Sequence, residues 1–362
     1  RAFTNQEYAD MGFQAVEDIG SCDILIGVKE VDVKFLIPQK TYLFFSHTAK
    51  FQAHNQKLLQ EASRKKITLI DHEFLTINGE RVVAFGYWAG IVGAYEAMRG
   101  MGLLTSAFEL KPTEQCLDLE NLKLELKKIN TPKALKIVIT GEGRVASGAI
   151  EMLEAAGIKK IPPDSYLHDT HTEAVFCQLG PQHYTRHRRG VEFDFKEFVE
   201  RPQNFQSAFY PFITVTDVFI GCHFWDPRSP VFFTVDQIRN SDFRIRFIAD
   251  MSCDIDGPIP TTIRTSTLEE PFYGIDRLTG KETDPFGSKA LTVMAVDNLP
   301  CGIPRDASRD FGNRMVMKVM PELLGRKSSE MIENATILKD GKLTSRFGYL
   351  KDFLSGKLYP EK

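Results

Sequence analysis

The sequence predicts an α/β protein with two doubly wound parallel sheets. Short apolar runs alternate with helical segments in the first hundred residues, and a second alternating series begins near residue 136. Runs of this kind, rich in β-branched residues and bounded by polar segments, are typical of strands that are buried on both faces. The predicted strands are Asp23–Val28, Tyr42–Ser46 and Ile67–Ile70 in the first series, and Lys136–Thr140, Asp217–Cys222, Phe247–Asp250 and Leu291–Val296 in the second.

The most informative segment is a strand, a glycine turn and a helix that ends at Gly157. Gly141, Gly143 and Ala146 form a G-x-G-x-x-A motif directly after an apolar run. In a Rossmann-like unit the first glycine permits a tight turn, the second lets the backbone approach a pyrophosphate, and the third small residue keeps helix and strand close. The helix N-terminus then offers free N–H groups to the phosphates. The motif predicts a dinucleotide site, against the plainer interpretation of an ordinary βα turn.

The order of these elements predicts two Rossmann-like domains around a central cleft. We expect residues 1–105 together with 303–362 to form a substrate-binding domain, and residues 106–302 to form the dinucleotide-binding domain. The helix predicted at Gly86–Leu104 is rich in small and apolar residues and leaves the first domain. Two further helical segments, near the C-terminus, are predicted to return to that domain.

Two stretches of the chain need an explanation of their own. Arg1–Asp10 resembles sequence from the middle of a domain, so we expect an N-terminal piece to precede it. The stretch His168–Pro211 is polar, rich in His and Arg, and longer than ordinary connections. It is predicted to be an insertion with a functional role.

Composition narrows the classes of function. The 362 residues carry a net charge of −3, and 26% of them are charged, so a broad nucleic-acid footprint is not expected. We find no apolar run of 18 or more residues and therefore expect no membrane span. The cysteines form no CxxC pair and mostly lie in apolar runs, so we expect buried thiols, a cytoplasmic protein and small-molecule partners.

Three polar clusters follow apolar strands: Lys29-Glu30, residues His47 to Lys50, and Asp297-Asn298. Ligands of open α/β sheets bind beyond the carboxyl ends of the strands, and all three clusters fall there. A histidine and a lysine on neighbouring strand ends can share proton transfer near neutral pH. The alternative is that His47 caps the following helix while Lys29 makes a surface ion pair.

Other candidate sites are weaker. His168-x-x-His171 and His183-x-x-x-His187 have spacings that a metal could use, but no carboxylate or cysteine completes a set, so no metal is predicted. The basic run at 186–189 is typical of a solvated face, although it could meet phosphate or carboxylate groups. The chain has no G-x-S-x-G elbow and no P-loop lysine, which disfavours hydrolases and kinases.

Several motifs in register resemble one superfamily over nearly the whole chain. Residues 27–30 (GVKE), 45–50 (FSHTAK) and 81–90 (RVVAFGYWAG) resemble the alanine dehydrogenase/transhydrogenase superfamily. Residues 250–254 and 295–308 resemble the lysine-forming saccharopine dehydrogenases and the lysine–ketoglutarate reductase domain of lysine breakdown. The insertion and residues 219–225 resemble the reductase branch more. The resemblance implies an NAD(P)-dependent oxidoreductase that interconverts saccharopine with L-lysine and 2-oxoglutarate.

The resemblance also implies roles for particular residues. Lys29 is the implied proton acceptor and His47 the implied proton donor. The implied substrate-binding residues are Arg81, Phe85, Lys50 and Met251. The residues implied to surround NAD or NADP are Gln52, Gly141, Gly143, Arg144, Ala146, Asp164, Phe224, Val296, Asp297, Asn298 and Leu299. Asp164 is expected at the end of the second strand of the nucleotide unit, where an acidic side chain favours NAD over NADP.

Two departures from the family pattern and two alternative functions stay open. A substrate-binding arginine of the family lies upstream of Arg1, and Glu80 stands where the fungal enzymes have an arginine before Arg81. An alanine dehydrogenase-like enzyme shares the fold and the Lys/His pair, but the insertion argues against a pyruvate-sized pocket. A non-catalytic nucleotide sensor needs neither Lys29 nor His47. By analogy with the family, we expect a monomer or a homodimer.

Overall fold

A computed structural model describes residues 2–325 and 329–357, and its contacts divide the chain into two units. Unit 1 comprises Arg1–Ala84 and Ser308–Lys362, and unit 2 comprises Phe85–Ala307. This division differs from the predicted boundary at residue 105. The helix that was predicted to leave the first domain packs along its length on a helix and a strand of unit 2.

The secondary structure of the described residues follows the predicted alternation. The strands are β1 (Ile24–Lys29), β2 (Thr41–Phe45), β3 (Thr68–Asp71), β4 (Thr76–Ile77), β5 (Glu80–Arg81), β6 (Lys136–Thr140), β7 (Lys159–Lys160), β8 (Val175–Leu179), β9 (Thr185–His187), β10 (Phe205–Ser207), β11 (Val218–Gly221), β12 (Phe247–Asp250), β13 (Phe272–Asp276), β14 (Glu282–Thr283), β15 (Ala290–Met294), β16 (Thr336–Lys339) and β17 (Lys342–Leu343).

The helices include short turns as well as long amphipathic segments. They are α1 (Asn5–Asp10), α2 (Ala53–Arg64), α3 (Gly86–Thr105), α4 (Leu119–Leu126), α5 (Arg144–Ala155), α6 (Pro163–His168), α7 (Pro181–Tyr184), α8 (Phe195–Glu200), α9 (Tyr210–Ile213), α10 (Pro304–Arg314), α11 (Met320–Leu323), α12 (Glu330–Ala335) and α13 (Lys351–Leu354). A π-helical segment, Met315–Val319, joins α10 to α11.

Unit 1 is built on a five-stranded sheet in the order β1-β2-β3-β16-β17. The first three strands are parallel, as predicted, whereas β16 pairs antiparallel with β3 and β17 antiparallel with β16. The sheet is therefore mixed. Leu43, Leu69 and Ile70 are almost completely buried, which explains why these strands appear in the sequence as continuous apolar runs.

Unit 2 is built on an eight-stranded sheet in the order β14-β13-β15-β12-β11-β6-β8-β7. The six strands from β15 to β7 are parallel, and β13 and β14 are antiparallel. Every residue of β6, β11, β12 and β15 is buried. The α/β class with Rossmann-like parallel sheets is confirmed, and antiparallel edge strands are added to it.

The stretch His168–Pro211 is not an insertion throughout. It contains β8, which lies between β6 and β7 inside the main sheet. The prediction was wrong there because the polar residues on both sides of the short run Val175–Leu179 masked it. The remainder of the stretch includes the antiparallel hairpin of β9 and β10, and the basic residues 186–189 lie on β9 and in the connection that follows it.

The helices α3 and α5 pack closely in unit 2 because glycines lie at their contact. A Cβ atom added to Gly90 would lie 1.9 Å from the Val145 carbonyl oxygen, and one added to Gly148 would lie 2.1 Å from the Tyr87 carbonyl oxygen. Only glycine permits this backbone approach. The glycines of the predicted helix at Gly86–Leu104 therefore lower its helix propensity but allow it to dock on the nucleotide-unit helix.

Candidate functional site

The strand ends of unit 1 place Lys29 and His47 on neighbouring strands. Lys29 ends β1 and pairs with Phe45, the last residue of β2, and His47 follows two residues later. The pairing contains a β-bulge, because Ile26 pairs with Leu43 and three steps on β1 match two on β2. The extra residue turns Lys29 to the side of the sheet that Phe45 faces, since side chains alternate along a strand.

His47 adopts a left-handed backbone conformation, with φ of 53°. Its ring stacks on that of Phe45, with centroids 6.4 Å apart and planes at 18°. Its Nδ1 lies 3.9 Å from Oε2 of Glu30, the residue after Lys29. The side chain makes no capping hydrogen bond to the turn that it precedes. The structure therefore does not support the alternative in which His47 serves as a helix cap.

A buried aspartate joins the ends of β2 and β3. Asp71 is completely buried, and its Oδ2 accepts hydrogen bonds from the backbone N–H of Ser46 at 3.0 Å and from the Ser46 hydroxyl at 2.5 Å. Its Oδ1 accepts from the backbone N–H of Glu73 at 2.8 Å. Charge-assisted bonds of this kind are strong and directional. Asp71 thereby fixes the residue that directly precedes His47.

His72 connects β3 to the bulge of β1. Its ring is completely buried, lies 5.0 Å from the Phe45 ring and contacts the edge of Phe311. Its Nε2 lies 2.8 Å from the Gly27 carbonyl oxygen, and because a carbonyl only accepts, Nε2 carries the proton and donates. Among the described residues, Nδ1 has no hydrogen-bond partner. Burial lowers the pKa of His72, so the ring is neutral at pH 7.

Sequence reasoning missed Asp71 and His72. The signal was present, since Asp71-His72-Glu73 follows a predicted strand as directly as Lys29-Glu30 does. Arg81 lies on β5, and its guanidinium donates to Glu73 Oε1 at 2.6 Å while the arginine side chain stays half exposed. Gln52 precedes α2 and accepts from the Asn55 amide. Lys50 ends a short turn, and its side chain lies outside the described part of the structure.

In unit 2 the glycine motif forms the predicted turn between β6 and α5. Gly141 has φ of 100°, and a Cβ there would lie 2.5 Å from the Cys222 carbonyl oxygen. Gly143 is the N-cap of α5, and no other atom lies within 4 Å of the position a Cβ would take there. Arg144 begins the helix, and Ala146 is completely buried. The turn therefore leaves space beside Gly143, whereas the backbone of Cys222 fills the space beside Gly141.

Three other predicted segments lie at the same edge of the sheet as this turn, because β11, β12 and β15 run parallel to β6. Phe224, after β11, is 91% exposed. Met251, after β12, is half-buried and packs on Cys222 and on Gly93 of α3. After β15, Val296 and Leu299 are buried, whereas Asp297 and Asn298 are exposed. Phe85, at the start of α3, packs against the core of unit 2.

The second strand of the nucleotide unit ends differently from the prediction. β7 ends at Lys160, and Asp164 lies beyond it as an exposed residue in the first turn of α6. The Lys160 Nζ donates to Gln178 Oε1 at 2.7 Å, and Gln178 Nε2 donates to the Gly141 carbonyl at 2.9 Å. A lysine therefore lies at the strand end that the sequence analysis assigned to an aspartate, and it is tied to the glycine turn.

The end of β11 also holds a buried histidine. His223 Nδ1 lies 2.7 Å from the Thr140 hydroxyl, and its ring packs 4.5 Å from that of Phe232. Burial lowers the pKa of His223 to about 3. On β12, the fully buried carboxyl of Asp250 accepts from the Thr262 hydroxyl at 2.6 Å and from Ser252, and burial raises its pKa. Burial therefore disfavours the charged form of both side chains.

Two further observations concern the weaker candidates of the sequence. Within residues 2–325 and 329–357, no three His, Cys, Asp or Glu side chains gather in a way that could hold a metal ion. His171 bonds to the Ser165 carbonyl, and His187 lies against Glu197.

No helix in the described ranges is long and apolar enough to cross a membrane.

Comparison with known proteins shows what the chain is similar to. Residues 1–92 match the family described as alanine dehydrogenase/PNT, N-terminal domain. Over 346 residues the chain is 28% identical to a saccharopine dehydrogenase [NAD(+), L-lysine-forming] from Neurospora crassa, covering 90% of this chain and 80% of that protein. The chain is similar to the lysine-forming saccharopine dehydrogenases over most of its length. The resemblance that the sequence analysis describes is thus confirmed.

Longer relatives extend the same similarity. The chain is 25% identical to alpha-aminoadipic semialdehyde synthase of Arabidopsis thaliana, covering 95% of this chain and 36% of that protein. It is 28% identical to the mitochondrial protein of that name in Rattus norvegicus, covering 97% of this chain and 43% of the relative. The chain therefore spans less than half the length of these relatives.

Solved structures confirm the fold. An L-alanine dehydrogenase superposes with a TM-score of 0.62 at 15% identity, covering 98% of this chain and 87% of that one. A transhydrogenase from Sinorhizobium meliloti superposes with a TM-score of 0.58 at 13% identity, covering 94% of this chain. At these identities the similarity concerns the α/β fold alone.

Proposed function

We propose that this chain is an NAD(P)-dependent oxidoreductase that interconverts saccharopine with L-lysine and 2-oxoglutarate. The observation that supports this most is the arrangement of Lys29 and His47, an amine and an imidazole at adjacent carboxyl ends of parallel strands. Ligands of α/β sheets bind at such ends. The homology to saccharopine dehydrogenases, found over 90% of the chain, supports the same substrate class.

In the proposed reaction the two side chains divide the proton transfers. Lys29 accepts the proton that the lysine ε-amine must lose before it attacks the 2-oxo carbon. His47 donates a proton to the carbinolamine oxygen, which leaves as water and gives the imine. Each positioned transfer contributes about 10²–10⁴-fold to the rate. The bulge in β1 supports this assignment, because it turns the Lys29 side chain to the side of the sheet that Phe45 faces.

Arg81 is proposed to bind a substrate carboxylate. Its guanidinium is oriented by Glu73, and the side chain stays half exposed. The planar fork of a guanidinium suits a carboxylate. Phe85, Lys50 and Met251 stay predictions as further substrate contacts.

The glycine turn of unit 2 is proposed to bind the dinucleotide. Its backbone fits a pyrophosphate, because Gly143 leaves open space where a side chain would stand and α5 presents its N-terminus there. A dinucleotide held there would supply the hydride for the imine carbon in one direction and accept it in the other. We propose that the dinucleotide also contacts Arg144, Ala146 and the exposed pair Asp297-Asn298. A contact of Gln52, on unit 1, with the dinucleotide stays a prediction.

One assay tests the proposal against its alternatives. The purified chain is supplied with NADH or NADPH and either lysine plus 2-oxoglutarate, pyruvate plus ammonia, or no substrate. We expect oxidation of the reduced cofactor, with saccharopine formed in equal amount, only with the first pair. Turnover of pyruvate plus ammonia would assign an alanine dehydrogenase-like enzyme instead. Cofactor binding without turnover of either pair would assign a nucleotide sensor.

The compartment and the oligomeric state of the protein are also proposals. The six cysteines are free thiols, which suits a reducing compartment, and we propose the cytoplasm. Small-molecule substrates are expected for such an enzyme, and we propose a monomer or a homodimer. Light scattering of the purified chain and fractionation of cells tests both statements.

A further inference from the structure

We propose that unit 2 has a second ligand site, a cavity lined by arginines that binds a phosphate group of a small molecule. The cavity has a volume of about 350 Å³. Its lining residues are Leu104, Phe243, Arg244, Arg246, Arg277, Phe286, Gly287, Ser288 and Ala290. The proposal is independent of the dehydrogenase activity, because none of these residues takes part in the reaction proposed above.

The cavity lies at the opposite edge of the sheet from the glycine turn. Arg246 directly precedes β12, and Ala290 is the first residue of β15, so the lining residues stand where these parallel strands begin. The glycine turn follows the end of β6, which runs in the same direction. A molecule in the cavity therefore binds at a place separate from the proposed dinucleotide site.

The charges of the cavity are not balanced. Arg244 is paired, since its Nε lies 3.0 Å from Asp217 Oδ1. Arg277 is partly buried and donates to the carbonyl oxygens of Phe243 and Ile245, with no carboxylate among its partners in the described chain. Arg246 is exposed and has no ion-pair partner within the described residues. None of the residues that line the cavity is acidic.

The two unbalanced guanidinium groups act on each other. Burial and the charge of Arg246 both lower the pKa of Arg277, which still stays protonated because an arginine pKa lies so high. Among the residues that the structure describes, two of its hydrogen-bond donors are engaged, both by neutral carbonyls, and the Phe243 ring lies 5.6 Å away. An anion between Arg246 and Arg277 would relieve their repulsion and accept the remaining donors.

The chemistry of the lining favours a phosphate group. Guanidinium groups bind phosphate bidentately, and the Ser288 hydroxyl at the rim offers a further donor. The apolar side chains of Leu104 and Phe286 form part of the wall and suit a carbon skeleton attached to the phosphate. A cavity of this volume lies at the lower end of the range for small-molecule sites, about 300–1,000 Å³. We therefore infer a small phosphate monoester as the ligand.

Calorimetric titration tests this site directly. Wild-type protein is titrated with phenyl phosphate and, separately, with inorganic phosphate, both at constant ionic strength. The Arg246→Gln variant removes one unbalanced charge from an exposed position, so its fold is expected to persist. The Arg201→Gln variant removes another exposed arginine, which lies outside the cavity, and it serves as the matched control.

We expect saturable binding that weakens by about tenfold or more in Arg246→Gln and by less than about twofold in Arg201→Gln. Tighter binding of phenyl phosphate than of inorganic phosphate identifies an organic monoester as the ligand, and equal binding identifies free phosphate. The proposal is overturned by binding that Arg246→Gln leaves unchanged, which would place the anion elsewhere. It is equally overturned if neither probe saturates below about 10 mM.

Discussion

The Nε2 of His72 donates a hydrogen bond to the carbonyl oxygen of Gly27 across 2.8 Å, and this bond ties the end of β3 to the bulge of β1. Two residues after Gly27 stands Lys29. The orientation of the proposed proton acceptor thus depends on a histidine that does not belong to its own strand or to the neighbouring one. We infer that His72 is a positioning residue.

Replacement of His72 by Leu is expected to lower kcat by about tenfold or more and the free energy of unfolding by about 1–3 kcal/mol, because the partly buried Gly27 carbonyl loses its donor. Replacement by Gln, which retains a donor, is expected to restore part of kcat. His54→Gln, an exposed change on α2, is the control. Steady-state kinetics and urea unfolding measure both effects. Equal kcat in the Leu and Gln variants would show that the bond has no positioning role.

Lys29→Met and His47→Gln are each expected to lower kcat by about two orders of magnitude, as expected for loss of one proton transfer. Cofactor affinity, measured by fluorescence titration, is expected to change little, because neither residue lies on the unit that contains the glycine turn. Lys34→Met, an exposed lysine of the same unit, is the control. Weakened cofactor binding with intact kcat would contradict the assigned roles.

Lys160 is expected to determine the choice between NADP and NAD. A side chain at the end of the second strand meets the ribose 2′ position, and a lysine there favours a 2′-phosphate. We expect Lys160→Ala to weaken NADPH binding by about tenfold and NADH binding by less than about twofold. Lys159→Ala, the preceding strand residue, is the control, and both affinities are measured by titration.

Asp164→Ala is expected to change neither affinity. Tighter NADPH binding in that variant would restore the sequence-based assignment of Asp164 to the ribose and the preference for NAD that it implies.

His223 is expected to make the protein less stable in acid. Its pKa is about 3 in the folded chain and about 6.5 in the unfolded chain, so the unfolded chain binds more protons between these values. Stability therefore falls as the pH decreases through this interval, by up to about 1.4 kcal/mol per pH unit. His223→Asn is expected to flatten this dependence, and exposed His168→Gln is not. Urea unfolding between about pH 7 and about pH 4.5 measures how the free energy of unfolding of each variant changes with pH.

The sequence predicts the parallel strands well because burial on both faces leaves continuous apolar runs. Val175–Leu179 is such a run, but the long polar stretch around it concealed β8. The antiparallel strands gave no comparable signal: β14 and β17 have two residues each, and β13 and β16 lie next to them in their sheets. Pairing direction also depends on contacts between residues far apart in the chain.

The candidate site could be predicted only where a strand ends in a distinctive residue. Lys29 and His47 satisfy that condition. His72 also follows a strand end, but its role could not be predicted because it depends on a carbonyl 45 positions away in the sequence. Asp164 is predicted at the strand end because the second strand should follow Gly157, but the structure places it on α6, beyond the end of β7. Because β7 is short and α6 begins soon after it, a residue expected at the end of a longer strand lies on the helix instead.

The bulge in β1 makes the position of Lys29 a matter of parity. Side chains of a strand alternate, so Lys29, three positions after Ile26, reaches the face of Phe45 only because the bulge absorbs one residue. Deletion of Val28 would remove that extra residue and leave the amine on the same face in a regular strand. The bulge therefore lets this strand hold one residue more than regular pairing needs without moving the amine to the other face.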